Sequence, residues 1–186
     1  MTRVLPNQRN KMTNNNSASD FSILYSIEDN RWNDIEQLEP LSETTISAAL
    51  SWLIDKYAQP FPLRVDDQEL ELSVLFTNDA QIQTINAQWR QQDKPTNVLS
   101  FPSSDMKPGS TPLPILGDLI FAFETIEREA HELNKPIKDH LTHLLVHGFL
   151  HLFGYDHIEP DEADEMEAIE TGILASIGLS NPYQDY

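Results

Sequence analysis

Residues 116–123 read LGDLIFAF, an apolar run with the length and composition of a buried β-strand. A helical pattern follows from about Glu124 to Leu133. A longer one runs from Pro136, a residue suited to the first turn of a helix, to Phe153. A buried strand that leads into two consecutive helices is typical of a sheet covered by helices, and this sets the expected class of fold.

The rest of the chain alternates strand and helix patterns around this stretch. Strands are predicted over residues 21–27, 69–76 and 98–101, and helices over 42–57, from 78 or 79 to about 90, and 160–177. Ser42 is the predicted N-cap of the first helix, and Asn78 or Asp79 can cap the second. Residues 102–114 contain four prolines and one glycine, which predicts a long loop.

These patterns predict one domain over residues 21–186, with about four strands and about five helices. Its class is α+β or α/β, because strands and helices interleave early and helices dominate late. Residues 1–20 contain hardly any apolar side chains and cannot offset the entropy lost on ordering, so we expect them to form a disordered tail.

Composition and charge exclude several classes of protein. The chain has 186 residues, no cysteine, and a formal net charge of −18 from 12 basic and 30 acidic residues. Without cysteine there are no disulfides, thiolate metal sites or cysteine nucleophiles. The negative charge argues against binding nucleic acid or anionic membranes through a positive surface, but it is compatible with a local basic site. No segment is apolar for long enough to span a membrane, and the N-terminus lacks a secretory signal, so we expect a cytoplasmic protein.

The most informative stretch, residues 143–157, reads HLLVHGFLHLFGYDH. His147 and His151 are four residues apart and therefore share one face of a helix. Gly154 can adopt the positive φ that ends a helix, so that His157 is returned toward the other two. Three histidines with an open fourth position are typical of a catalytic zinc site.

Other interpretations of these histidines remain open. His143 and His147 are also four residues apart and form a rival pair, which lacks a third ligand delivered by a turn. Histidines at this spacing are also often ordinary half-buried side chains, and His131 and His140 are expected to be solvated or to support the site. Asp156, next to His157, either orients a histidine or belongs to the turn.

Gly148 bears on the type of reaction. The histidine spacing matches that of metzincin peptidases, in which the residue after the first histidine is a glutamate that acts as general base. Glycine cannot transfer a proton, so peptide hydrolysis is disfavoured. Phosphodiester cleavage depends more on charge stabilisation by metal and cation and is compatible with glycine. Met166 resembles a methionine turn, but the continuous helical pattern around it favours a core residue.

Arg90 is a candidate partner for phosphate, since basic residues are scarce in the middle of the chain. It lies at the predicted end of a helix, where an arginine often only complements the helix dipole. Its planar guanidinium also suits phosphate oxygens, and Trp89 beside it could stack on a base. The acidic stretch 159–170 is expected to be a solvated helix face.

Together these segments resemble the YbeY family of bacterial single-strand-specific endoribonucleases. The resemblance covers about residues 40–180 and rests on three segments: 143–157, Trp89-Arg90 followed by PTNVLSFP at 95–102, and Leu116-Gly117-Asp118. It implies a small mixed sheet flanked by helices, a functional Arg90, and one zinc ion held by His147, His151, His157 and water. It also implies cleavage of single-stranded RNA in 16S rRNA 3′-end maturation and ribosome quality control, with the small ribosomal subunit and its proteins as partners and no DNA substrate.

Two residues depart from the family pattern. Asn97 stands where the family usually has Asp, and Glu129 stands where Gln is more usual. The loss of the carboxylate at 97 weakens any role for that position as a proton acceptor. Two alternative functions stay open, namely a zinc peptidase, suggested by the metzincin-like spacing, and a non-catalytic ribosome assembly factor with a structural metal.

Overall fold

The structure, a computed structural model, describes residues 21–57, 64–65 and 68–184. In chain order the elements are β1 (Phe21–Ile27), a 3₁₀ helix (Asn30–Asp34), α1 (Leu38–Lys56), β2 (Arg64–Val65), β3 (Gln68–Thr77), α2 (Asp79–Arg90), β4 (Val98–Pro102), β5 (Ile115–Ala122), α3 (Phe123–Glu132), α4 (Ile137–Leu152) and α5 (Pro160–Ser176). Each predicted strand and helix is present. The predicted disordered tail lies outside the described residues. Among those described, no helix has both the length and the hydropathy to cross a membrane.

Four strands form a mixed sheet in the order β1-β3-β5-β4. β1 and β5 run parallel to β3 on its two sides, and β4 runs antiparallel to β5. β2 adds a two-residue antiparallel pairing to the start of β3. The expected α+β fold with a small mixed sheet is confirmed.

Helices cover both faces of this sheet. Successive side chains of a strand point to opposite faces, so Leu119 and Phe121 of β5 enter the main core while Ile120 enters a smaller one. The smaller core is closed by Ile82 of α2, and the main core is filled from α1, α4 and α5. This two-sided burial explains why LGDLIFAF is apolar at nearly every position and does not alternate with polar residues.

Helix α4 is the central helix of the domain, in contact with α1, α3, α5 and the β4–β5 edge of the sheet. Gly148 lets it lie close to the sheet, because a Cβ at this position would come within 3.1 Å of Leu119 and 3.2 Å of Ser100. The hydroxyl of Ser100 donates a hydrogen bond to the carbonyl oxygen of Gly148 (3.0 Å). These contacts fix the turn of α4 that carries His147.

The predicted start of the first helix is wrong. Helix α1 begins at Leu38, and Ser42 lies inside it, donating from its hydroxyl to the carbonyl oxygen of Leu38 (2.8 Å). Pro40 is compatible with this earlier start. The backbone N–H groups in the first turn of a helix have no partners within the helix, so the absence of an N–H on proline removes no helical hydrogen bond there. The predicted cap of α2 is confirmed, since the side chain of Asn78 accepts from the backbone N–H of Gln81.

Candidate metal centre

Three histidines converge at the C-terminal end of α4. His147 and His151 lie one turn apart on this helix, with their Nε2 atoms 3.1 Å from each other. His157, which follows the helix, brings its ring centroid within 5.3 Å of His147 and 5.2 Å of His151. One nitrogen from each ring lies within 4.8 Å of the other two, so the predicted cluster is confirmed as a group able to hold a metal ion.

The turn that returns His157 requires glycine at position 154. Gly154 has a φ of +82°, as predicted, and a Cβ there would overlap the backbone of Met106 in the proline-rich loop. The carboxylate of Asp156 accepts a hydrogen bond from the backbone N–H of His157 (2.8 Å). This contact agrees with the interpretation of Asp156 as a turn residue. The sequence thus positions the third imidazole through backbone geometry.

The two histidines on α4 have their Nδ1 atoms engaged on the side away from the cluster. Nδ1 of His151 donates to the carbonyl oxygen of Tyr155 (2.9 Å), and Nδ1 of His147 donates to Oε1 of Glu170 (2.8 Å). A proton held at Nδ1 leaves the lone pair on Nε2, and these are the atoms that face each other. Both rings are therefore oriented, with the tautomer that binds a metal through Nε2.

Glu170 of α5 is the residue of this site that the sequence prediction missed. The acidic stretch to which it belongs predicts a solvated face, but its side chain is fully buried and also accepts from Nε2 of His143 (2.7 Å) and from the hydroxyl of Tyr183. Burial alone would raise the pKa of Glu170, but the hydrogen bonds from His143 and His147 outweigh it and lower the pKa to about 2. The carboxyl is therefore ionised and acts only as an acceptor.

A signal for Glu170 was present in the sequence. It lies four residues after Met166 and three before Ile173, on the apolar face of α5, and both of these neighbours are buried. An acid at an apolar position of a helix needs a partner in the core, and two histidines supply it here. Met166 itself is a core residue, as predicted.

The donor set fits a metal ion such as zinc. Nitrogen ligands about 2.0–2.1 Å from a tetrahedral ion lie about 3.3–3.4 Å apart, close to the 3.1 Å between the Nε2 atoms of His147 and His151. Burial, followed by the proximity of His147 and His157, lowers the pKa of His151 to about 4, so this ring is neutral and able to coordinate at neutral pH. Among the described residues, the metal-capable group contains three side chains, which leaves a tetrahedral ion one position for water or substrate.

The other histidines do not join this group. Nε2 of His143 points to Glu170, and its ring centroid is 6.3 Å from that of His147, so the rival His143/His147 pair is not the observed arrangement. His140 is buried and donates from Nε2 to Oε2 of Glu129 (2.8 Å), whereas His131 is exposed.

Asn97 and Glu129, the two departures from the family pattern, contact each other. Nδ2 of Asn97 donates to Oε2 of Glu129 at 3.0 Å and lies 3.3 Å from Oε1. Burial would raise the pKa of Glu129, but the hydrogen bonds from His140 and Asn97 lower it, so this carboxyl is ionised. An amide and an ionised carboxylate therefore lie in direct contact at positions 97 and 129.

Arg90 lies outside the histidine cluster, at the last residue of α2. Its guanidinium donates to the carbonyl oxygen of Ser100 (3.0 Å) and lies 5.8 Å from the ring centroid of Phe101. Trp89 is 44 % exposed and packs edge-on against the same ring. Because Ser100 also contacts Gly148, Arg90 is attached to the strand that supports the metal-binding turn of α4.

Comparison with known proteins identifies similar chains. Residues 31–178 match the family described as Endoribonuclease YbeY. Two curated proteins of that name, from Sinorhizobium fredii and Agrobacterium fabrum, are 56 % and 53 % identical; the alignments cover 89 % and 88 % of this chain, and 93 % and 95 % of those proteins. The solution structure of TM1509 from Thermotoga maritima shares the fold, with a TM-score of 0.50 and 20 % identity over 88 % of this chain and 99 % of that one.

Proposed function

The chain belongs to the YbeY endoribonuclease family, and on that premise we propose that it cleaves single-stranded RNA in a metal-dependent reaction at the cluster of His147, His151 and His157. The single observation that carries the proposal is the convergence of three imidazoles, which leaves one metal position open. A closed four-ligand site is typical of a structural metal, whereas a three-ligand site is typical of a catalytic one.

We assign zinc to this site from the type of ligand, since imidazole nitrogen suits zinc, although it also suits other first-row ions. When bound, zinc would supply a Lewis acid for a phosphate oxygen and a water with its pKa lowered to about 7. The chain itself orients the ligands, through Glu170 for His147 and through the carbonyl oxygen of Tyr155 for His151.

Arg90 is assigned the role of neutralising charge on the phosphoryl group. Arg90 is an exposed residue, and the hydrogen bond from its guanidinium to Ser100 orients the planar group while further N–H atoms stay available for a phosphate. Exposed Trp89 beside it offers an aromatic face for stacking of a base. Arg90 and Trp89 together can therefore contact both a phosphate and a base of an RNA strand, although the chain as a whole is acidic.

A peptidase function is not supported by position 148. The general base of a peptidase would occupy this position, but a Cβ there would already crowd Leu119, Ser100 and Val98 on the sheet. A side chain at this position would therefore meet the core before it reached a substrate.

The biological substrate we propose is rRNA, at the 3′ end of 16S rRNA and in ribosome quality control. A chain with a net charge of −18 is repelled by RNA at long range, so partners must supply positive charge. Proteins of the small ribosomal subunit are the partners we propose, in the cytoplasm, with no DNA substrate. A non-catalytic assembly factor would use the same partners, and the two functions differ in whether RNA is cut.

The test is an RNA cleavage assay with purified protein and a labelled single-stranded RNA, with and without chelator. We expect cleavage that is lost with chelator and in His151→Ala, and that is strongly reduced in Arg90→Glu. Casein serves as the peptidase substrate and should remain intact. Cleavage that persists in His151→Ala would indicate contaminating nuclease and contradict the proposal, and RNA left intact by the zinc-loaded wild type would favour the assembly factor.

A further inference from the structure

A pocket of about 480 Å³ opens beside the histidine cluster, with His147 on its wall. The polar side chains that line it include Asn97, Glu129, Lys135, His140, His143 and Tyr183. Its volume lies within the range of about 300–1,000 Å³ that holds small-molecule ligands. A ligand in it would lie next to a residue that binds the metal.

Glu129 is an acceptor that this pocket offers to a ligand. Its side chain is 29 % exposed, its carboxyl is ionised, and Oε2 receives the hydrogen bonds from His140 and Asn97. Oε1 has only the longer 3.3 Å contact with Asn97 and keeps capacity to accept. Two donors from the protein hold this carboxylate in place, so that it is preorganised for a ligand that donates.

The rest of the pocket suits the other parts of a nucleotide. Leu133, Leu144 and Pro182 provide apolar surface for a planar ring. Lys135 donates to the carbonyl oxygen of Pro182 (3.1 Å), and its ammonium group can also donate to a phosphate. Glu132 adds a second carboxylate to the wall, which disfavours placing a phosphate at that side.

We propose that this pocket is a subsite for one nucleotide of the RNA strand, adjacent to the scissile phosphate, and that Glu129 selects a base with an exocyclic amino group over uracil. The proposal rests on the endoribonuclease function proposed above and adds a specificity to it. An amino group donates to Glu129, whereas the single donor of uracil, N3–H, lies between two carbonyl oxygens that a carboxylate repels.

Cytidine and uridine monophosphate are matched probes, because they differ only at two neighbouring positions of the base: cytosine has an amino group at C4 and an acceptor at N3, whereas uracil has a carbonyl oxygen and an N3–H donor. We expect calorimetric titration of the zinc-loaded full chain to give at least about fivefold tighter binding of the cytidine nucleotide. In Glu129→Gln this preference should disappear. Glu127→Gln, which removes the same charge from an exposed position on the same helix, should keep it.

Equal affinity for the two nucleotides, binding of neither, or a preference retained in Glu129→Gln would overturn the subsite. If Glu129→Gln loses its fold by circular dichroism, the comparison of the two nucleotides on the unaltered protein still decides the matter.

A cleavage experiment separates this inference from the function on which it rests. The substrate is a single-stranded RNA of uridines with one central cytidine, and we expect the wild type to cut beside the cytidine and Glu129→Gln to cut without preference. Even cutting by the wild type would overturn the subsite while retaining the endoribonuclease. No cutting, alongside selective binding of the cytidine nucleotide, would overturn the endoribonuclease and retain the pocket as a nucleotide site.

Discussion

Replacement of Glu170 by Gln removes a buried negative charge and preserves the size of the side chain. The carboxylate accepts from His147 at 2.8 Å and from His143 at 2.7 Å, and hydrogen bonds to a charged group each contribute about 1.5–3 kcal/mol. Loss of a group that orients a metal ligand lowers metal affinity about 10- to 100-fold, which corresponds to about 1.4–2.7 kcal/mol. Glutamine has one acceptor oxygen, so it can keep one of these two bonds and loses the other. We therefore expect Glu170→Gln to bind zinc 10- to 100-fold more weakly and the metal-free protein to unfold about 1.5–3 kcal/mol more easily.

Zinc affinity is measured by competition with a chromophoric chelator, and stability by urea unfolding of the metal-free protein. Glu167→Gln is the matched control, because it makes the same substitution at an exposed position one turn earlier on α5. The control should retain the affinity and stability of the wild type. A folded Glu170→Gln protein with unchanged zinc affinity would refute the argument that this carboxylate orients His147.

Three further results are expected. Gly154→Ala should lower the free energy of unfolding at least twice as much as Gly178→Ala, as measured by urea unfolding. Both glycines have φ near +82°, so an alanine at either position costs about 1–2 kcal/mol of backbone strain. Only at Gly154 does the new Cβ also overlap another part of the chain. Asn97→Asp, which places two carboxylates about 3 Å apart, should cost about 1–3 kcal/mol at pH 7. Glu129→Gln in the same chain should restore stability. The penalty should decrease as the pH falls through the range of carboxyl pKa values and vanish by about pH 2–3, where both carboxyls are protonated in the folded and unfolded states. Zinc at about 100 times its Kd should stabilise the fold by about 2.7 kcal/mol and raise Tm by about 5–10 °C in a thermal melt, and His151→Ala should abolish this increase.

Much of the fold follows from local pattern. The strands are recognisable because burial on both faces of the sheet keeps them apolar, and the caps of α2 and α5 are set by neighbouring residues. The prediction of where α1 begins was wrong, because two local sequence signals favour different first residues for this helix. Ser42 has the chemistry of an N-cap, but Leu38 and Glu39 extend the helix through Pro40, and the serine hydroxyl bonds back to the helix instead.

The site could be predicted only in part for a similar reason. His147, His151, Gly154 and His157 lie within eleven residues, so helix geometry and one turn place them together. Glu170 reaches this group only because α5 packs across α4, and tertiary packing of this kind is not contained in spacing along the chain.

The contact between positions 97 and 129 illustrates the same limit. The sequence suggested only that a carboxylate is missing at position 97, whereas the structure places the carboxylate of Glu129 in contact with Asn97. Residues 32 apart in sequence could be related only after the fold had brought the residue before β4 next to α3.

The central claim, that His147, His151 and His157 hold one metal ion, is tested most directly by metal content per chain after zinc loading and desalting, determined by mass spectrometry. We predict one zinc per chain in the wild type and in His143→Ala, and loss of bound zinc in alanine variants of the three cluster histidines. Zinc retained in His157→Ala but lost in His143→Ala would contradict the account.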